Sequence, residues 1–408
     1  MKKLMTFAIF QHKNYAYFWW GNFISRIGTE MELVGLSWQI YEMTRSPMSL
    51  GIIGLCRFLP ILFFSLISGS IADMFPRKNV VQLTSALLML IAIGLTILHY
   101  LHLMNPLIIY IAIFINSTIL TLETPSRQAL IPSLFPKEHI LHAMSWNTIM
   151  FQTGTTIGPM IGGFMISVGG VGLTYALNAI SFIAVIFAYI MIKPSKSIIS
   201  KTAGFHLSYI KEGLHYVFKT PLLYGTMLLD FCATFFSAST VLMPIFAMDI
   251  LKVGPQGMGL LYASPAIGGV VAGLVVSSMR NIKRQGFILL IALTCYGICT
   301  IAFGLSKLFF LSLFFLFLVG ATDIVNTIIR KTTQQLITPD EILGRMSSIN
   351  LIFYAGGPML GEFEAGFAAQ FFGTSFSVIL GGIGTIIFTL LIAWRIPEIR
   401  NCKNINHG

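Results

Sequence analysis

The chain has 408 residues, 55% of them hydrophobic and only 10% charged, with 26 lysines and arginines against 15 aspartates and glutamates for a formal charge of +11. Soluble domains carry about 25% charged residues, and one globular core cannot hide this much apolar side chain. The basic excess lies in short segments between apolar stretches, which excludes a nucleic-acid-binding surface and leaves no room for a soluble catalytic domain.

A helix needs about 20 apolar residues to cross a bilayer. Such stretches occupy 15–41, 48–72, 79–100, 107–130, 144–168 and 171–192, then 222–248, 257–279, 286–305, 308–331, 346–371 and 374–394. The expected fold is an all-α membrane protein, with twelve transmembrane helices in two pseudo-symmetric six-helix halves. No cleavable signal is expected, because Lys2 and Lys3 precede only a short apolar run that stops at Gln11-His12-Lys13.

Span one opens with Tyr15, Tyr17, Trp19 and Trp20, an aromatic anchor for the inner interface. At about 100° per residue, Asn22, Arg26, Thr29, Glu30 and Ser37 form one polar stripe, with Glu32 nearly opposite and packed between helices. Span two carries Arg57, and Gly69 to Lys78 joins it to span three, which ends with His99 and an interfacial His102 beyond it. Span four aligns Asn116, Glu123 and Arg127, and span five contains Gly154, Gly158, Pro159, Gly162 and Gly163. Glycines one turn apart let two helices approach closely, and the proline removes one backbone bond.

Residues 193–220 are the single long polar interruption, with an amphipathic helix expected from Phe205 to Phe218 along the cytoplasmic surface. The expected domains are therefore 1–192, the linker 193–220, and 221–408. Span seven aligns Thr226, Asp230, Thr234 and Ser237, and span ten aligns Asp323, Asn326, Thr327 and Arg330. Span nine holds Cys295 and Cys299 as small core filler, and Glu362 and Glu364 stand near the outer end of span eleven.

The halves echo each other. Arg127, then Pro136-Lys137-Glu138, then Gly158-Pro159-Met160-Ile161-Gly162 is repeated as Arg330, Pro339-Asp340-Glu341 and Gly357-Pro358-Met359-Leu360-Gly361. Repeated halves are how many secondary transporters place a substrate site between repeats. With the N-terminus inside, outer segments carry only Arg45, Lys252 and Lys307, so the positive-inside rule puts both termini in the cytoplasm.

Ionisable residues inside spans are functional candidates, because inserting one costs about 2.5–3.5 kcal/mol on translocon scales. The proton-coupling candidates are Asp230, Asp323, Glu30 and Glu123. The substrate-cavity candidates are Arg26, Arg57, Asn22, Asn116, Thr234 and Asn326. The polar stripes of spans one, four, seven and ten line an expected shared cavity, while spans three, six, nine and twelve face lipid. Two readings stay open for several of these: Arg26 and Glu30 neutralise each other or couple to protons, and Arg57 binds an anionic substrate group or bonds a neighbouring helix. No Gly-rich loop ends in Lys-Ser or Lys-Thr, so the energy source is an ion gradient or the substrate's own gradient.

Gly69-Ser70-Ile71-Ala72-Asp73-Met74-Phe75-Pro76-Arg77-Lys78 resembles the signature loop of the major facilitator superfamily, with Met74 where a basic residue usually follows the aspartate. In the second half, Gly273 to Arg284 keeps the basic residues and has Ser277 at the aspartate position. Gly154 to Gly163 resembles the span-five motif of the superfamily's exporters. Ser25-Arg26-Ile27-Gly28, Arg57-Phe58-Leu59-Pro60, Thr124-Pro125-Ser126-Arg127 and Leu343-Gly344-Arg345 resemble the branch containing the enterobactin exporter and macrolide efflux pumps. The resemblance implies a proton-motive-force-driven exporter of the bacterial inner membrane, working by alternating access. It also implies a gate loop of Gly69, Asp73, Arg77 and Lys78, and a helix-interface motif of Gly154, Gly158, Pro159, Gly162 and Gly163. Siderophores and amphipathic drugs are the expected cargo, with no enzyme activity, cofactor, metal or nucleic acid. The expected surroundings are the lipid bilayer and a downstream outer-membrane exit system, with the chain working as a monomer.

Overall fold

A computed structural model describes residues 8–134, 140–193, 216–279, 284–338 and 340–401, and all regular structure in them is helical. The first helices are α1 (Lys13–Thr44), α2 (Pro47–Met74), α3 (Arg77–Tyr100) and α4 (Pro106–Leu130). Ile140–Met191 then runs as two helices broken at Gly170, residues 140–169 (α5) and 171–191 (α6). They are followed by α7 (Pro221–Phe236), α8 (Gly254–Ser278), α9 (Gln285–Leu305), α10 (Phe309–Ile337), α11 (Asp340–Phe372), α12 (Thr374–Arg395) and the short α13 (Pro397–Asn401). The linker helix expected from residue 205 lies outside the described residues up to 215, as do Pro136-Lys137-Glu138 and the side chain of Asp73.

Local chemistry sets the breaks. The Asn105 side chain accepts the Ile108 amide at 2.9 Å and Pro106 follows at the first helical position, which starts α4 by the usual capping rules. Gly170 has φ 74° and ψ −179°, and Gly373 between α11 and α12 has φ 90° and ψ 153°. Both conformations are essentially closed to side chains, so the repeat visible in the sequence returns as two equivalent backbone breaks, 203 residues apart.

Nine helical stretches among the described residues are long and apolar enough to cross a membrane. The difference from the expected twelve has physical causes. His142–Met191 is counted once although its 50 residues span two bilayers at about 1.5 Å per residue. Two further long helices, α1 and α11, carry too much polar character along their length to qualify on apolarity alone. Large apolar side chains such as Leu83, Leu90, Ile183, Phe187, Ile298 and Leu390 stand exposed along the helices, as lipid-facing residues do.

The chain divides into two compact units, Met1–Thr44 with Leu59–Phe205, and Arg45–Phe58 with His206–Gly408. The division passes through α2 beside Pro60, a proline inside that helix.

In the first unit, α1 is held on two faces by small residues, the usual basis of helix association without a hydrophobic drive. On one face Gly21, Gly28 and Gly35 meet Ala188, Ser181 and Thr174 of α6, so both partners repeat every seven residues. On the other, a Cβ added to Gly154 would stand 2.6 Å from Arg26 Cγ, one on Gly158 2.6 Å from Glu30 Cβ, and one on Gly162 3.2 Å from Met31 Cα. Gly163 is buried, and the helix continues through Pro159 to the break at Gly170.

The second unit uses the same device. Gly357 and Gly361 of α11 meet Phe231, Thr234 and Phe235 of α7, and Gly297 of α9 meets Gly382 and Ile386 of α12.

The aromatic anchor is divided. Tyr17 and Trp20 face outward, but Tyr15 and Trp19 are buried and donate to the carbonyls of Ala143 and Trp146, each at 2.9 Å. They tie α1 to the start of α5 rather than to the membrane surface.

Candidate functional site

The polar stripe of α1 and that of α4 meet inside the first unit. Arg26 Nη2 lies 2.5 Å from Glu30 Oε1, one turn away, and the guanidinium carbon sits 4.1 Å from the Phe151 ring centre. Arg127 Nε lies 3.5 Å from Glu123 Oε1, and Thr84 of α3 comes within 3.2 Å of the other carboxylate oxygen. A cavity of about 30 Å³ separates the two ion pairs, lined by Asn22, Ser25, Arg26, Thr29, Ser85, Glu123 and Arg127 together with apolar residues of α3, α4 and α6. One water needs roughly 10–15 Å³, so the space admits water between two oppositely charged pairs.

The contribution of Ser85, and of Phe182 and Val185 from α6, corrects the expectation that spans three and six simply face lipid. Each presents an exposed apolar face and a buried one. Periodicity of acids alone could not show this, since neither helix carries one.

Asn22 is buried, donating to the Phe18 carbonyl at 2.7 Å and to the Tyr189 hydroxyl at 3.2 Å. Asn116 shares a stripe with Glu123 by spacing, yet its amide donates to Glu32 Oε1 at 3.0 Å. Glu32 Oε2 accepts from Asn178 of α6 at 2.7 Å.

At the gate loop, Arg77 donates to the Ala129 carbonyl at 2.8 Å and Lys78 to the Ile192 carbonyl at 2.7 Å. Both cations therefore cap helix C-termini, those of α4 and α6, where the helix dipole favours positive charge. Gly69 has open space around it.

In the second unit Asp230 and Arg330 form a pair at 3.0 Å, at 4% and 1% side-chain exposure. Asn326 approaches the same carboxylate oxygen at 3.5 Å, and Asp323 and Lys331 interact with the pair electrostatically. Removing one partner of such a pair leaves a buried bare charge. Thr234 donates to the Asp230 carbonyl at 2.8 Å and lies against Gly357. Arg57 binds both oxygens of Glu362, at 3.0 and 3.1 Å. That fork joins positions 305 residues apart, and nothing in the local sequence signals it.

No group of three or more His, Cys, Asp or Glu side chains suited to a metal occurs among the described residues. Cys295 and Cys299 are free and half-buried.

Membrane-length helices, two units built on the same glycine breaks, and charge-balanced polar clusters within the helices define a multi-pass transporter of the major facilitator type. The chain matches the transmembrane secretion effector family over residues 4–407, and belongs to it. It is 24% identical over 381 residues to the enterobactin exporter EntS of Citrobacter koseri, covering 93% of this chain and 91% of that one. The Escherichia coli enterobactin exporter EntS matches at the same identity and coverage. In fold it is similar to a bacterial homologue of the human lysosomal transporter Spinster in an inward-facing, unoccupied conformation, with TM-score 0.75, 13% identity, and coverage of 95% of this chain and 98% of that one. A bacterial homologue of the iron transporter ferroportin, also inward-facing, gives TM-score 0.67 at 14% identity, covering 92% and 98%. These likenesses are to transporters, not enzymes.

Proposed function

We propose that this chain exports a catecholate siderophore of the enterobactin class across the bacterial inner membrane by alternating access, driven by the proton-motive force. It has twelve membrane crossings, two six-helix halves, a cytoplasmic linker at 193–220 and both termini in the cytoplasm. It works as a monomer and passes its cargo to an outer-membrane exit system.

The observation that carries the reading is the pairing of every stripe acid named from the sequence with local positive charge. Glu30 sits with Arg26, Glu123 with Arg127, and Asp230 and Asp323 with Arg330 and Lys331. A scaffold has no use for such clusters, each costly to insert. A carrier uses them because adding a proton to one acid unbalances its cluster and changes the stability of one conformation over another. The likeness to enterobactin exporters supports the cargo class.

The test is uphill efflux from vesicles under an imposed pH gradient, with enterobactin and erythromycin as alternative cargoes. Gradient-dependent movement of enterobactin supports the reading. Movement of erythromycin alone makes the chain a drug pump, and movement of neither rejects transport of both classes.

A further inference from the structure

Among the described residues, four acids within the helices are almost completely buried, with whole-residue exposures of 3% for Glu32, 3% for Asp230, 5% for Glu123 and 8% for Glu362. Three have an arginine: Arg330 for Asp230, Arg127 for Glu123, Arg57 for Glu362. Glu32 has no cation among the described residues. Its two oxygens accept one amide hydrogen each, from Asn116 at 3.0 Å and Asn178 at 2.7 Å. A buried carboxylate without a counter-charge is the costliest arrangement of the four.

The carboxamides around it suit a second protonation state. Asn116 Oδ1 is buried with no hydrogen-bond partner. When Glu32 is ionised it accepts two amide hydrogens and that oxygen stays empty. When one proton is added, the carboxyl gains an O–H donor, and turning the Asn116 carboxamide brings its carbonyl oxygen to it. Asn178 has a partner on its other side: the Ser181 hydroxyl donates to the Asn178 main-chain carbonyl at 2.7 Å and also lies 3.1 Å from its side-chain oxygen. One O–H bond forms at Glu32 as one breaks in a hydrated proton, leaving water, and release runs the same exchange backwards.

A polar ladder leads from this point toward the end of the unit opposite Arg77 and Lys78. Tyr175, one turn from Asn178 on α6, lies in electrostatic reach of Glu32 and is the titratable group facing it. Its hydroxyl donates to Gln39 Oε1 at 2.6 Å, and Gln39 Nε2 is 3.1 Å from His99 Nδ1. Gln39 is two turns along α1 from Glu32, about 10 Å. His99 in turn interacts electrostatically with His102 and Glu42. The residues facing Glu32 are thus Asn116 from α4 and Asn178 and Tyr175 from α6, while Glu30 and Arg26 occupy the opposite side of α1.

We propose that Glu32 is a proton-exchange site of this transporter, separate from the Arg26–Glu30 cluster, exchanging its proton with water on the His99 side. Asn116 and Asn178 hold the carboxyl in both states, and Tyr175, Gln39 and His99 are positioning residues. The proposal deepens the proton-driven reading above and rests on it.

The direct test is infrared difference spectroscopy of the full chain in lipid nanodiscs across a pH series. The wild type gives a titrating protonated-carboxyl band that disappears in Glu32→Gln, persists in Glu30→Gln, and changes frequency in Asn116→Leu. If Glu32→Gln does not accumulate, Asn178→Leu keeps the carboxyl and carries the test, since the band must then shift. A band unchanged by these substitutions at 32, 116 and 178, or one lost instead in Asp323→Asn, overturns the proposal. A second arm measures enterobactin efflux from vesicles, in which Glu32→Gln lowers gradient-driven movement at least tenfold while downhill exchange remains. Wild-type efflux indifferent to the pH gradient sinks the proton-driven reading itself, and the infrared band still decides Glu32.

Discussion

Gly158 of α5 lies directly against Glu30 of α1, so close that a Cβ on the glycine would meet the Glu30 Cβ at 2.6 Å. The helix-interface motif and the acidic stripe are therefore two sides of one contact. Gly158→Val must push α1 away from α5, and overfilling a packed contact typically costs about 1–3 kcal/mol. Gly94→Val, where nothing lies within 4 Å, is the matched control. Thermal unfolding in detergent should drop for the first and hold for the second. Equal midpoints would mean the seam is looser than described.

The Asp230–Arg330 pair should behave as a unit. Asp230→Asn strands a buried guanidinium, an effect of about 3–5 kcal/mol, so membrane abundance should fall. Adding Arg330→Gln should restore much of that loss, and a double-mutant cycle on stability reads the coupling directly. Additive losses would mean that the pair contributes nothing to the fold.

Arg77 and Lys78 cap helices at the gate loop. Arg77→Gln removes a cation from the Ala129 carbonyl, worth about 0.3–1 kcal/mol at a helix C-terminus. The protein should stay folded while efflux falls, if the loop acts in switching. Asp73→Asn should give the same division between abundance and efflux. Normal efflux in both variants at normal abundance would make the loop dispensable.

Topology follows from charge. In a cysteine-free background, Ser46→Cys should react with a membrane-impermeant thiol reagent applied outside, and Ser197→Cys should not. Ser46 stands on the surface, bonded to Gln370 at 2.8 Å. Labelling of position 197 in intact cells would reverse the orientation.

Much of the helical layout can be read from apolar length and Gly-Pro punctuation, because in a bilayer these two quantities nearly decide it. Faces were legible and partners were not. Spacing groups Asn116 with Glu123 on α4, but a helical wheel has no information about the neighbouring helix, and the Asn116 amide donates to Glu32 instead. The α6 seam had a sequence signal, glycine at 21, 28 and 35, which a search for four-residue glycine spacing passes over. Glu32 itself reads as packing from its angle to Glu30. Its importance appears only once its neighbours are seen to be neutral.

The glycine contacts on both faces of α1 also fix what the first unit can do mechanically. Sliding α1 by one residue would drive side chains into Ala188, Ser181 and Thr174 on one side and lift Arg26 and Glu30 off their glycines on the other. Turning it does the same. α1, α5 and α6 are keyed together like wards in a lock, so a transport stroke has to carry all three as one solid piece. The Glu32 carboxyl, set among α1, α4 and α6, rides in that piece and can report a proton to the whole of it without any helix changing its place beside another.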